Sequence, residues 1–150
     1  MIQRIQSIYL LVVTILMIVC MCNPVGSILT PDNEISTFTN LCITTAEGNS
    51  NYAPWALFVL LLIIALLALV TIFLFKKRML QIRLTIFSSI LLIGYYVIFV
   101  VFVTTMLADD ASFTPSWLVC LPFVALILNW LAIRSIGADE ALVKAYDRLR

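Results

Sequence analysis

The chain has no histidine, and only 11% of its 150 residues are charged. Without histidine it lacks the commonest proton shuttle, the commonest metal ligand and the usual base of a hydrolytic triad. Charge is also missing by position. Residues 5–31, 48–75, 84–108 and 111–133 contain no Asp, Glu, Lys or Arg. Proton-coupled pumps and multidrug exchangers normally carry an intramembrane charge, so this absence argues against both classes. A Cys-x-x-Cys redox pair is absent, Cys20-x-Cys22 being a weak substitute. No small-x-small cleavage site follows the first apolar run, which ends Val19-Cys20-Met21-Cys22-Asn23. The run therefore reads as an uncleaved anchor and not a secretory signal.

What is present is apolar. Hydrophobic residues make up 63% of the chain, and the mean hydropathy is +1.13, a membrane composition. Each charge-free run exceeds the roughly 20 residues needed to cross a hydrocarbon core about 30 Å thick. Lipid cannot satisfy bare backbone groups, and the runs lack the alternation of a membrane strand, so they must be helices. Trimmed by polar and turn residues, the expected helices cover 5–23, 53–75, 84–107 and 115–133. The expected architecture is an all-α, four-transmembrane-helix antiparallel bundle, a single integral membrane domain over 1–150 with no room for a soluble one.

Charge then sets orientation. If each run crosses once, all nine Lys and Arg fall on one face. Arg4 precedes the first run, Lys76, Lys77, Arg78 and Arg83 lie between the second and third, and Arg134, Lys144, Arg148 and Arg150 follow the fourth. The opposite face receives only Asp32, Glu34, Glu47, Asp109 and Asp110. Basic residues near span ends mark the cytoplasmic side, which places both termini in the cytoplasm. Lys76, Lys77, Arg78 and Arg83 are positioned to hold anionic lipid headgroups there. Because the basic residues hug helix ends and face lipid phosphates, nucleic-acid binding is not expected.

The outer loop, 24–52, has turn signals at Pro24, Gly26, Pro31-Asp32-Asn33 and Glu47-Gly48-Asn49. The Thr-rich and β-branched stretches between them predict a small β-hairpin over the helix ends. Proline follows Ala53 and Thr114, so Pro54 and Pro115 are expected in first helical turns, with Thr114 as an N-cap. Pro122 is expected to kink the fourth helix. Gly137 is expected to interrupt it, and 134–150 to form a short amphipathic helix along the inner leaflet. That helix would be capped by Asp139, with Glu140 paired to Lys144 and an apolar stripe of Leu142, Ala145, Tyr146 and Leu149.

Two groups of side chains bear on chemistry. Cys20, Cys22, Cys42 and Cys120 all fall toward the outer, oxidising side, so a candidate disulfide joins Cys42 to Cys22 or Cys120; cysteine is equally an ordinary small apolar residue. Thr14, Tyr95 and Tyr96 fall near mid-membrane, and Thr71, Ser88, Ser89 and Asn129 lie about a turn from the inner ends. These residues could line a polar pocket, but hydrogen bonds that fix helix packing are the preferred reading. A bare tyrosine hydroxyl in hydrocarbon costs several kcal/mol, so Tyr95 or Tyr96 is expected to point inward, with Thr14 as first candidate partner. No metal or cofactor is implied.

The ends of the chain carry a resemblance. Met1-Ile2-Gln3-Arg4-Ile5-Gln6 with Tyr9-Leu10-Leu11, and the closing Asp139-Glu140-x-Leu142-Val143 with Asp147-Arg148-Leu149-Arg150, resemble a family of small four-span Gram-negative bacterial proteins, filed as a domain of unknown function. The resemblance implies inner-membrane localisation and supplies no catalytic residues. The two ends are expected to meet, with Arg4 facing Asp139, Glu140 and Asp147 on the cytoplasmic side. Function is expected to be non-catalytic: an accessory, assembly or scaffold subunit for a membrane-protein partner. A self-associating (homo-oligomeric) small transporter or channel component is the alternative, and an enzyme acting on lipid or thiols ranks third.

Overall fold

The computed structural model describes residues 2–74, 76–107 and 111–149, the side chains of 2–4, 106 and 107 excepted. Asp109, Asp110, Arg150 and the side chain of Arg4, all singled out in the sequence, lie outside the described residues. Helix α1 spans Ile2–Cys22, α2 Trp55–Phe73, α3 Arg78–Leu107 and α4 Leu121–Arg148. All four are long and apolar enough to cross a membrane. Each packs on two others, α1 on α2 and α4, α3 on α2 and α4, which closes a ring.

The buried positions explain the ring. Gln6, Leu10, Val13, Met17 and Cys20 on α1 are spaced alternately four and three apart. So are Leu57, Leu61, Ile64, Ala68 and Thr71 on α2. On α3 the set is Gln81, Thr85, Ser88, Leu92, Tyr95 and Phe99, and on α4 it is Pro122, Ala125, Asn129, Ala132, Ile136 and Asp139. This is the 3.5-residue repeat of helices that pack by knobs into holes. The faces turned away carry bare apolar side chains, among them Ile8, Ile15, Leu66, Phe73, Ile90, Val97, Phe123 and Ile127. An apolar exterior around a partly polar interior suits lipid, not water.

The loop between α1 and α2 holds strands β1 (Gly26–Leu29), β2 (Ile35–Phe38), β3 (Ile43–Thr44) and β4 (Ser50–Asn51), and β5 (Ser112–Pro115) comes from the α3–α4 connection. They form one antiparallel sheet in the order β4-β3-β2-β1-β5. Two turns fall at expected punctuation. Asn33 takes a φ of 61° and Gly48 one of 86°, left-handed conformations that asparagine and glycine accept most readily. The expected hairpin is thus a five-stranded sheet, enlarged because β5 joins from a second loop. Gly26 pairs with Pro115 and Ile28 with Phe113, while the Ser116 N–H donates to the Val25 carbonyl at 2.8 Å.

Three helix boundaries differ from expectation. Pro115 ends β5 and does not open a helix; the Thr114 hydroxyl meets Ser27 Oγ at 2.6 Å and caps nothing. A 3-10 turn, Trp117–Cys120, precedes α4. Pro122 then falls in the first turn of α4, where its missing N–H breaks no α-helical bond inside the helix, so the expected kink has no cause. Helix α3 begins at Arg78, six residues before the expected start. Charge ended the predicted span there, but Gln81 and Thr85 are buried, so packing carries the helix on past the charges. Likewise α4 runs unbroken through Gly137. A mid-helix glycine costs only about 1 kcal/mol, and Ile136 and Asp139, buried on either side of it, hold the helix in register.

Gly26 is the tightest point of the sheet: a Cβ there would lie 2.6 Å from the Phe113 ring and 2.8 Å from the Thr114 carbonyl oxygen. The second contact is backbone and cannot swing away. Gly26→Val is therefore expected to separate β5 from β1 and to cost roughly 1–3 kcal/mol. It should appear as a lowered melting temperature of the detergent-solubilised protein.

Candidate functional site

The ring has two unlike ends. At one, here the basic end, Gln6 of α1, Arg78 of α3 and Asp139 of α4 meet. The Gln6 amide donates to Asp139 Oδ2 at 2.7 Å, and one Arg78 N–H reaches the Asp139 backbone carbonyl at 3.4 Å. Asp139 is 8% exposed and Gln6 4%. The expected cap of a separate tail helix is instead a buried carboxylate in mid-helix, held by a charge-assisted hydrogen bond. The two ends of the chain meet through Gln6; the expected Arg4 contact lies outside the described residues.

From this contact a polar column enters the interior. Gln81, Thr85 and Ser88 follow one another along α3, with Thr71 on α2 and Asn129 on α4. Thr71 Oγ1 donates to the Leu67 carbonyl, Thr85 Oγ1 to Gln81, and Ser89 Oγ to Thr85, each satisfied by its own helix. Thr14 does the same, donating to Leu10, so it is not the tyrosines' partner. Asn129 differs. Its Nδ2 donates to Ser88 Oγ at a long 3.3 Å, while Oδ1 is buried without a partner. Exchanging the amide's oxygen and nitrogen leaves one end orphaned either way. Above the column, Val13, Met17, Leu61, Ile64, Leu92 and Ala125 are all fully buried and form a dry layer.

Beyond that layer lies the sheet end, organised by prolines. The Cys20 carbonyl would accept from residue 24 in a continuing helix, but Pro24 has no N–H. Asn40, fully buried, supplies the missing donor: its Nδ2 lies 2.8 Å from the Cys20 carbonyl oxygen. Tyr95 completes the amide by donating its hydroxyl to Asn40 Oδ1 at 2.8 Å. In the 3-10 turn the Val119 carbonyl would accept from Pro122, again without an N–H, and the Tyr96 hydroxyl donates to it at 2.7 Å. Both tyrosines therefore serve carbonyls that proline leaves bare. Edge-to-face contacts of Phe38 with Phe99 and Phe113, at 6.1 and 5.9 Å between centroids, close the sheet over them.

Cys20, Cys22, Cys42 and Cys120 are free thiols in the structure, which bridges Cys42 to neither Cys22 nor Cys120. Cys42 instead sits in the Thr39 turn, where its N–H and Sγ meet the Thr39 hydroxyl. Among the described residues no cluster of three acidic or cysteine side chains could hold a metal. At the basic end an open cleft of about 530 Å³ separates the α2–α3 turn from the end of α4; Lys76, Lys77, Arg78, Glu140, Lys144 and Asp147 line it. Arg83 lies outside it. Lys144 Nζ is 3.1 Å from Glu140 Oε1, the pairing expected from their spacing. Leu142, Tyr146 and Leu149 are exposed on the far side of the same helix, which projects beyond the ring.

Four apolar helices with an apolar exterior, a small antiparallel sheet and polar groups spent inward define a multi-helix membrane protein. The chain belongs to the family described as "Domain of unknown function (DUF4293)", whose model matches residues 2–149. A search of curated proteins gave no match.

Replacing Asn40 by Ala leaves the Cys20 carbonyl and the Tyr95 hydroxyl without partners, a loss of roughly 1–3 kcal/mol. In a background with Cys22, Cys42 and Cys120 changed to serine, Asn40→Ala is expected to open Cys20 to maleimide. The parent's Cys20 thiol, fully buried, should stay unlabelled.

Proposed function

We propose that this is a non-catalytic, multi-pass protein of a bacterial inner membrane that acts as an accessory or scaffold subunit for a partner. The projecting end of α4 carries the proposal. Its 28 residues extend about 42 Å, well beyond a hydrocarbon core of about 30 Å. Past Asp139, where the ring ends, the helix leaves Leu142, Tyr146 and Leu149 bare at 54%, 77% and 87% exposure. Three large apolar side chains on one face of a helix in the aqueous layer favour an apolar partner surface there. The occupant that fits is an amphipathic segment of a second protein at the membrane surface.

The positive-inside rule supports a cytoplasmic basic end, with both termini and the α2–α3 turn inside and the sheet outside. Single cysteines placed at Ser135 and Asp32, in a chain lacking the native four, should be labelled from opposite faces. Labelling of both by a membrane-impermeant reagent on intact cells would overturn the orientation.

The partner proposal is tested by the triple variant Leu142→Ser, Tyr146→Ser, Leu149→Ser. Gently solubilised wild type is expected to co-purify with a protein in stoichiometric amount, and the variant to lose it while melting at an unchanged temperature. A second reading, a self-associated transport component, is favoured by the orphaned Asn129 oxygen in the polar column. Native mass spectra containing only multiples of this chain, unaffected by the triple variant, would select it.

A further inference from the structure

We propose that the cleft between the α2–α3 turn and the end of α4 seats the phosphate of an anionic phospholipid. One wall presents the consecutive cations Lys76, Lys77 and Arg78, and the other presents Lys144. Met79, Leu80 and Val143 supply an apolar floor. Phe73, the last residue of α2 and three positions before Lys76, is bare at 75% exposure. A cationic wall above an apolar floor matches a phosphate joined to acyl chains; free phosphate would use only the cations. The volume, about 530 Å³, is within the roughly 300–1,000 Å³ of small-ligand clefts.

The charges nearby are not equivalent. Lys144 is engaged by Glu140 at 3.1 Å, and Arg78 gives one N–H to the Asp139 carbonyl. Lys76 and Lys77 have no carboxylate partner among the described residues, and Asp147 is the remaining acid in the lining. Lys76 and Lys77 therefore do the binding, and Asp147 opposes it. The cleft also stands where two spans end, which is the depth of the phosphate layer. This site rests on the membrane reading but not on the docking of a protein partner, since Leu142, Tyr146 and Leu149 face away from the cleft.

The full-length protein in nanodiscs of phosphatidylcholine with a minor share of phosphatidylglycerol is the test, with retained lipid counted by native mass spectrometry. Wild type is expected to retain one phosphatidylglycerol in preference to phosphatidylcholine. The double variant Lys76→Gln, Lys77→Gln should weaken that retention roughly tenfold or more. Arg134→Gln with Arg148→Gln, which removes equal charge outside the cleft, should leave it unchanged. Asp147→Asn should strengthen retention, a gain that misfolding cannot imitate, and the Leu142, Tyr146, Leu149 triple variant should have no effect. Three results would overturn the site: equal losses in both double variants, indifference to headgroup charge, or displacement of the lipid by millimolar inorganic phosphate.

Discussion

The amide of Asn40 locks the sheet to the helices, and much of the sheet end depends on it. One side chain closes two deficits at once, accepting from Tyr95 and donating to the carbonyl of Cys20. Each group would otherwise stand unpaired where water is scarce, and an unmade buried hydrogen bond costs more than a made one contributes. The loop that carries Asn40 is thereby drawn in between the end of α1 and the middle of α3. Phe38 follows it inward and meets Phe99 and Phe113, so β1 comes within reach of β5. The docking of this loop thus answers a local shortage of one N–H at Pro24, and the backbone pairing of β1 with β5 enlarges the sheet.

The same constraint orders the rest of the interior. In water, an unpaired helix hydroxyl or amide finds solvent; in hydrocarbon it must find protein. Threonine and serine meet the demand within their own helix, and so Thr14, Thr71, Thr85 and Ser89 specify little about neighbours. Long amides and phenols cannot do so as easily, and they make the cross-chain contacts: Gln6 to Asp139, Tyr95 to Asn40, Tyr96 to Val119, Asn129 to Ser88. Register between helices is set by these few side chains, while the apolar spacing between them sets only which face turns inward.

Much of the scaffold was legible from composition. Charge-free runs located four helices, because hydrocarbon rejects charge wherever it occurs. They misplaced helix ends at the basic side for the same reason, since α3 and α4 continue past the charges once they leave lipid. Gly137 misled because propensity was weighed without the packing of Ile136 and Asp139. Gln81, Thr85, Ser88 and Tyr95 share a heptad face, but the apolar residues that fill most of the other faces of α3 mask the period. Pro24 and Pro122 could have flagged two bare carbonyls, and hence the tyrosines' targets. Nothing in the sequence marks Asn40 among the other loop residues, because its partner is remote and its own neighbours are ordinary.

The two ends of the molecule therefore place different limits on what it can do. At the sheet end every strand is paired with another, and the aromatic cluster and the Asn40 amide close the helices beneath. A dry layer around Leu92 separates that end from the polar column. A continuous aqueous path along the axis would have to break both, including hydrogen bonds that only proline-deprived carbonyls require. The basic end is built the other way: its buried carboxylate is tied down by Gln6, but the surface around it is open, cationic and flanked by a bare helix face. Conformational cost is low there and high at the sheet. Interaction with lipid or protein at the basic end is consequently compatible with a rigid ring, whereas transport through the ring demands that its most tightly satisfied part come apart.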